Sequence, residues 1–160
     1  MNQKISKIFK QSGVIPYRMR NGNIEILLIT TRDCAERSAR GDRNNWVIPK
    51  GGITKGMSPP ASAAKEAWEE AGIIGQVDVN QIGSYRYRKR GKIYRVQMYL
   101  LLVEILSEEY PEAGQRQREW LDITIAMQMV KQNSLKRILN QFLQIKSNSC
   151  QPFVSNQTSM

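Results

Sequence analysis

Histidine is missing altogether from this 160-residue chain. Its absence removes Ser-His-Asp triads, His-bearing zinc sites and imidazole acid–base chemistry. Catalysis must then rest on carboxylates, lysines, hydroxyls or metal ions held by oxygen. Cysteine is scarce: Cys34 lies in a polar loop and Cys150 in a polar C-terminal stretch, a pattern of two free thiols in a reducing compartment and not of a disulfide framework. No apolar run approaches the ~20 residues that cross a bilayer. The first ten residues mix Lys with Ile and Phe and show neither an export core nor a small-residue cleavage site, so the cytoplasm is the expected compartment. Acidic residues are few as well, with 14 Asp and Glu against 24 Lys and Arg, and the net charge is +10. That balance favours polyanionic partners: nucleotides, nucleic acid, phosphorylated metabolites or acidic membranes.

What remains is an ordinary globular composition, 41% hydrophobic, at the length of one domain. Gly13 to Tyr17 and Ile24 to Thr30 read as strands, with Asn21-Gly22-Asn23 as the hairpin turn between them. A polar loop from Asp33 to Asn45 leads to a short strand, Trp46-Val47-Ile48, stopped by Pro49-Lys50-Gly51-Gly52. A helix follows, with Ser58 as N-cap, Pro59 at its first position and Gly72 at its C-terminal cap. Ala64, Ala67, Trp68 and Ala71 form its expected packing stripe. Gln81 to Arg90 and Lys92 to Ile105 read as strands joined at Gly91, and Glu119 to Leu121 as a further short strand. Ile123 to Lys131 and Ser134 to Ile145 read as helices. This order predicts a mixed sheet with helices against it, an α+β or α/β sandwich. The expected domain covers 12–146, preceded by an N-terminal segment over 1–11 and followed by a disordered, Ser-, Asn- and Gln-rich tail over 147–160.

The informative stretch is Lys65-Glu66-Ala67-Trp68-Glu69-Glu70-Ala71-Gly72-Ile73. Glu66 and Glu70 are four apart and Glu66 and Glu69 three apart, so the three carboxylates rise from neighbouring positions on one side of the helix. Like charges at this spacing destabilise a helix, and the C-terminal half is where its dipole disfavours anions. Lys65 can pair with Glu69 but cannot neutralise three negatives. A hard divalent cation, which takes carboxylate, water and phosphate oxygens, accounts for the placement. Just ahead of the helix, Gly51, Gly52 and Gly56 permit close backbone approach and free amides for phosphate oxygens. No Gly-Lys-Ser/Thr closes that loop, so it is not a P-loop.

Together these residues resemble the Nudix box, G-x5-E-x7-R-E-U-x-E-E-x-G-U with U a bulky apolar residue. Gly51 opens it, and Glu66, Glu69, Glu70, Gly72 and Ile73 fall in register. Within that family the chain is most similar to the diphosphoinositol polyphosphate phosphohydrolase group, over roughly Ser12 to Phe142. Three positions depart from the pattern: Met57 stands at the first box Glu, Lys65 at the Arg, and Ala67 is smaller than the usual apolar residue. The resemblance implies a Nudix-type α-β-α sandwich. It also implies hydrolysis of a phosphoanhydride bond in a highly phosphorylated small molecule, a diphosphoinositol polyphosphate or a dinucleoside polyphosphate. Glu66 and Glu70 would hold Mg²⁺ or Mn²⁺, Glu69 would accept the proton of the attacking water or share metal binding, and the backbone of Lys50, Gly51 and Gly52 would approach metal or phosphate. Arg32, with Thr31 beside it, matches a region that contacts phosphates in the diphosphoinositol group.

Substrate choice lies outside the box. Arg86-Tyr87-Arg88-Lys89-Arg90 is the most basic stretch, and strand alternation puts Arg86, Arg88 and Arg90 on one face with Tyr85, Tyr87 and Lys89 on the other. Three guanidiniums on one face suit several phosphates. Arg116 and Arg118 are placed to close the pocket. Two further readings stay open: a Nudix hydrolase of nucleotides or RNA 5′ ends, since a basic strand with tyrosines also suits RNA, and a catalytically silent Nudix phosphate- or RNA-binding module, which Met57 and Lys65 favour.

Overall fold

The computed structural model describes residues 7–32 and 46–150, with side chains through residue 147. The polar loop with Cys34, and the tail beyond residue 150, lie outside the described residues. Strands β1 (Ile8–Arg20) and β2 (Asn23–Thr30) form the first hairpin, in register from Tyr17↔Ile26 to Arg20↔Asn23. Asn21 and Gly22 both take left-handed backbone (φ 53° and 79°), as a two-residue turn matching strand twist requires. Two short strands, β3 (Trp46–Val47) and β4 (Lys50–Gly52), lead into helix α1 (Pro59–Ala71). A long hairpin of β5 (Ile73–Lys89) and β6 (Lys92–Leu106) comes next, then β7 (Arg118–Asp122), α2 (Ile123–Met129) and α3 (Asn133–Cys150).

The seven strands make one mixed sheet in the order β3-β2-β1-β6-β5, with β4 paired to β1 and β7 to β2. Only β1 and β6 run parallel among these pairs. The central strands are apolar on both faces, and their two-residue period sorts them into two cores. Val14, Leu27, Ile29, Tyr99 and Leu101 pack with Ala63, Ala67 and Ala71 of α1. Ile15, Ile26, Leu28, Val96 and Met98 pack against Leu135, Leu139 and Phe142 of α3 and against Ile123 and Ala126 of α2. The result is the α-β-α sandwich anticipated from the sequence. Each fully buried Leu, Ile or Phe contributes about 1.5–3 kcal/mol of burial.

Helix α1 has the expected ends. The Ser58 hydroxyl accepts the Ala61 N–H at 3.2 Å, and Gly72, at φ 69°, donates its N–H to the Trp68 carbonyl at 2.9 Å. Its packing stripe differs from the expected one. Ser62, Ala63, Ala67, Glu70 and Ala71 are buried, whereas Ala64 and Trp68 are only half-buried. The helix is turned so that one of its acids enters the protein, which periodicity alone could not reveal because Ala63 and Ala64 are equally good packers.

The strands are longer than their sequence signals. β1 begins at Ile8, and β5 includes Ile73–Asn80, whose polar residues and register shifts at Gly75, Gln81 and Gly83 hide the strand pattern. Arg90 is not a strand residue: with φ 53° it forms a two-residue turn with Gly91 at φ 75°. Helix α3 continues to Cys150, past the expected boundary at residue 146. Among the described residues no helix is long and apolar enough to cross a membrane.

Gly72 permits the left-handed cap and leaves room for the next loop, since a Cβ there would lie 2.6 Å from the Tyr110 ring and 2.7 Å from the Ser107 carbonyl. Gly72→Ala is therefore expected to lower stability by roughly 1–3 kcal/mol, measured by urea denaturation. An unchanged midpoint would show that the cap relaxes freely.

Candidate active site

Glu66, Glu69 and Glu70 of α1 meet different surroundings. Glu70 is buried, with one oxygen 3.3 Å from the Lys50 backbone N–H and the other 3.8 Å from Nη2 of Arg116. Glu66 lies on Gly51: a Cβ at position 51 would fall 2.3 Å from the Glu66 Cδ, so only glycine leaves space for that carboxyl group. Glu69 is half-buried and pairs with Lys65 at 3.5 Å. Lys65 also donates to the Thr54 hydroxyl at 3.3 Å, and the Thr54 N–H donates to Ser62 Oγ at 3.0 Å. Hydroxyls thus tether the glycine loop at the place where Met57 replaces a box carboxylate.

Sequence reasoning missed Glu112. Its N–H donates to the Glu69 carbonyl at 3.0 Å, and its carboxylate accepts from Nε of Arg116 at 3.1 Å. It also lies near enough to Glu66 to raise that group's proton affinity. A lone Glu in a polar loop carries no signal of this; its i, i+4 spacing to Arg116 is the only sequence hint. Arg116 is itself fastened by donating from Nη1 to the Thr30 carbonyl at 3.0 Å.

The protonation states follow from these surroundings. Burial, partly countered by Arg116 and the Lys50 N–H, pushes Glu70 up to about 7. Burial also raises Glu66, helped by the negative charges of Glu69 and Glu112 and opposed by Lys65 and Arg116. The Lys50 ammonium is pulled below its usual range, mainly by burial. Its Nζ sits 5.0 Å from the centre of the Tyr87 ring, and the Tyr87 hydroxyl donates to Gln11 at 2.7 Å.

A polar cleft of about 360 Å³ opens in front of Glu70, lined by Gln11, Thr31, Arg32, Val47, Ile48, Lys50, Tyr87, Lys89, Arg90 and Arg116. The sequence-predicted residues Thr31, Arg32, Lys50, Glu70 and Arg90 therefore come together, with Gly51 and Gly52 continuing β4 from Lys50. Arg86 and Arg88 do not join them. Tyr87 and Lys89 face the cleft, so the strand presents the opposite alternation from the one expected to meet substrate; Arg90 reaches the cleft because the turn releases it from that alternation. Arg118 is not in the cleft either: it donates to the carbonyls of Ala71 and Ser107 at 2.9 and 2.7 Å, fastening the end of α1. A second recess, about 230 Å³, adjoins the cleft between β5 and α3 and is lined in part by Trp46, Tyr85, Lys131, Gln132 and Leu135.

The donor chemistry fits a hard divalent cation. Glu66 is held in its glycine cradle, Glu70 is buried, and both bind protons more tightly than free carboxylates, a sign of unneutralised negative charge or desolvation that a cation relieves. Among the described residues no three acids are gathered into a ready-made cage. Mg²⁺ in particular is commonly held by one or two carboxylates together with water and substrate phosphates.

Fold and site thus set a cationic cleft beside a buried and a glycine-cradled carboxylate on one helix of an α-β-α sandwich. The chain matches the family described as NUDIX domain over residues 10–142 and belongs to the Nudix hydrolase family. It is 31% identical over 139 residues to Nudix hydrolase 21, chloroplastic, of Arabidopsis thaliana, covering 84% of this chain and 66% of that protein. It is 26% identical over 117 residues to diphosphoinositol polyphosphate phosphohydrolase 2 of Rattus norvegicus, covering 72% and 63% of the two chains. The chain thus spans about two thirds of the length of these curated relatives. The crystal structure of a C. elegans Ap4A hydrolase binary complex shares the fold, with a TM-score of 0.66 at 23% identity, over 88% of this chain and 98% of that one. Nudix enzymes generally use divalent metal ions. The names of the plant relatives include chloroplastic and mitochondrial destinations, so they do not support the cytoplasmic expectation.

Glu70 makes stability depend on pH in an unusual direction. Its folded pKa of about 7 exceeds the ordinary 4.5, so the folded state binds more protons than the unfolded state between those values. Without added metal, stability should fall as pH rises from about 4.5 to about 7, by an amount on the order of 2–4 kcal/mol. Glu70→Gln should flatten this slope in denaturant melts; an identical slope in the variant would place the titration elsewhere. Gly51→Ala should displace the Glu66 carboxyl while shifting the melting midpoint by only a few degrees, and its divalent-ion affinity by calorimetry should drop at least tenfold.

Proposed function

We propose that this chain hydrolyses a phosphoanhydride bond in a highly phosphorylated small molecule, a diphosphoinositol polyphosphate or a dinucleoside polyphosphate, with Mg²⁺ or Mn²⁺. The observation that carries the reading is the cleft in which Arg32, Lys50, Lys89, Arg90 and Arg116 surround one buried acid, Glu70. Five cations lining about 360 Å³ far exceed what one carboxylate needs and suit a ligand with several phosphates.

Glu66 and Glu70 would hold the divalent ion. When bound, it would lower the pKa of a coordinated water and offset charge on the leaving phosphate. Arg116 orients Glu70 and contributes a guanidinium to the same cleft. Lys50 and Lys89 bring positive charge from β4 and β5 to the phosphate chain, and Arg32 and Arg90 guard its mouth. Glu69 is the assigned proton acceptor, paired with Lys65 at 3.5 Å. Glu112, beside Glu66 and Arg116, is a second acid within the same set. The recess walled by Trp46, Tyr85 and Leu135 gives an uncharged ring a place next to the phosphate cleft, which favours the dinucleoside polyphosphate within this pair.

Phosphate release should require a divalent ion and should appear first with diadenosine polyphosphates or inositol pyrophosphates in a panel that also holds ADP-ribose, deoxynucleoside triphosphates and 5′-triphosphate RNA. Glu70→Gln should reduce turnover at least 10³-fold with the fold intact by circular dichroism. Undiminished turnover in that variant, or release independent of metal, would overturn the reading.

A further inference from the structure

Arg86 and Arg88 are turned away from the cleft, and they belong to a second cationic surface. The strand registers place Lys10 opposite Arg95 and Arg95 opposite Arg86. The three therefore stand side by side across β1, β6 and β5. They lie on the face opposite Phe9, Tyr94 and Tyr87, which form the next row. Neighbouring strands are about 4.8 Å apart, so three cations fall within about 10 Å, and Arg88 adds a fourth about 7 Å from Arg86 along β5. All four are exposed. None has an acidic partner among the described residues.

Like charges directly opposite one another weaken a sheet. Protection of an edge against aggregation accounts for Arg86 and Arg88, because β5 is the outer strand. It does not account for Arg95, whose strand is paired on both sides, to β1 and to β5. A negative partner from outside would offset the repulsion. On the far side of the sheet, ring centroids 5.6 Å apart for Phe9 and Tyr94 and 5.0 Å apart for Tyr94 and Tyr87 clamp the same three strands together. The cations are thus held at regular intervals, and three of the four are arginines, whose forked donors bind phosphate bidentately. Ile8 and Ile93, in the neighbouring row with Arg88, give a narrow apolar margin. A fluid layer of anionic headgroups makes no demand for fixed spacing; a polymer with a regular phosphate repeat does.

We propose that Lys10, Arg86, Arg88 and Arg95 form a binding surface for the sugar–phosphate backbone of a single-stranded nucleic acid. On the β5–β6 hairpin this surface lies on the opposite face from Tyr87 and Lys89, which line the cleft, and the proposal does not rest on the hydrolase reading.

The test is fluorescence anisotropy of a labelled 20-nucleotide single-stranded RNA with the full chain, across a salt series. The double variant Arg86→Gln/Arg95→Gln should bind at least tenfold more weakly at about 0.1 M salt, and the slope of log affinity against log salt should shrink by about 1.4, the value for two lost phosphate contacts. A control that removes the same charge from α3, Lys136→Gln/Arg137→Gln, should bind within twofold of the unmodified chain. Circular dichroism melts identify variants that remain folded, and the sheet variant should melt no lower than its parent because repulsion has been removed. Equal losses in both double variants would mean that bulk charge alone attracts the RNA and would overturn the proposal. So would an absence of RNA binding, or binding to phosphatidylserine vesicles, and not to RNA, that the sheet variant abolishes.

Discussion

The burial of the Glu70 carboxylate constrains everything around the site. A charge withdrawn from water needs compensation, and the protein supplies it with a backbone N–H from β4 and a guanidinium from the loop before β7. Those two contacts join segments far apart in sequence. Arg116 in turn reaches the end of β2 through the Thr30 carbonyl and anchors Glu112. One buried acid thus couples the helix, the glycine strand, the cleft wall and a loop acid into a single unit. Its compensation is incomplete: burial outweighs both contacts and raises the carboxyl to about 7.

The two faces of the β5–β6 hairpin carry separate sets of cations. Tyr87 and Lys89 belong to the cleft, while Arg86 and Arg88 belong to the outer surface with Arg95 and Lys10. The aromatic row between β1, β6 and β5 stiffens both faces together. Of the 24 Lys and Arg residues, five surround one acid in the cleft and four stand in the cross-strand row, with different consequences for what each group can bind.

Much of the architecture was legible in residue order. Ser58, Pro59 and Gly72 bounded α1 because capping is local chemistry, decided by a few adjacent atoms. Asn21-Gly22 marked the first hairpin for the same reason. The site was legible where the box spacing specified it: Glu66, Glu70, Lys50 and Gly51 meet around α1 and β4. Other features were hidden. Glu112 had no motif to announce it, and the strand face that meets the cleft could not be read from alternation, since a period of two gives two faces without saying which one is inward. The first half of β5 escaped notice because bulges break the alternation on which strand recognition depends.

By itself the sequence determined the elements, their caps, the box helix with its three carboxylates and the excess of positive charge, because these rest on neighbours within a few residues. Only the tertiary structure decided that Glu70 is the box acid that goes inward, that Arg116 and Glu112 join the box acids, and that Tyr87 and Lys89 rather than Arg86 and Arg88 line the cleft. The rotation of a helix about its axis and the inward face of a strand are set by what packs against them, and those partners lie dozens of residues away along the chain.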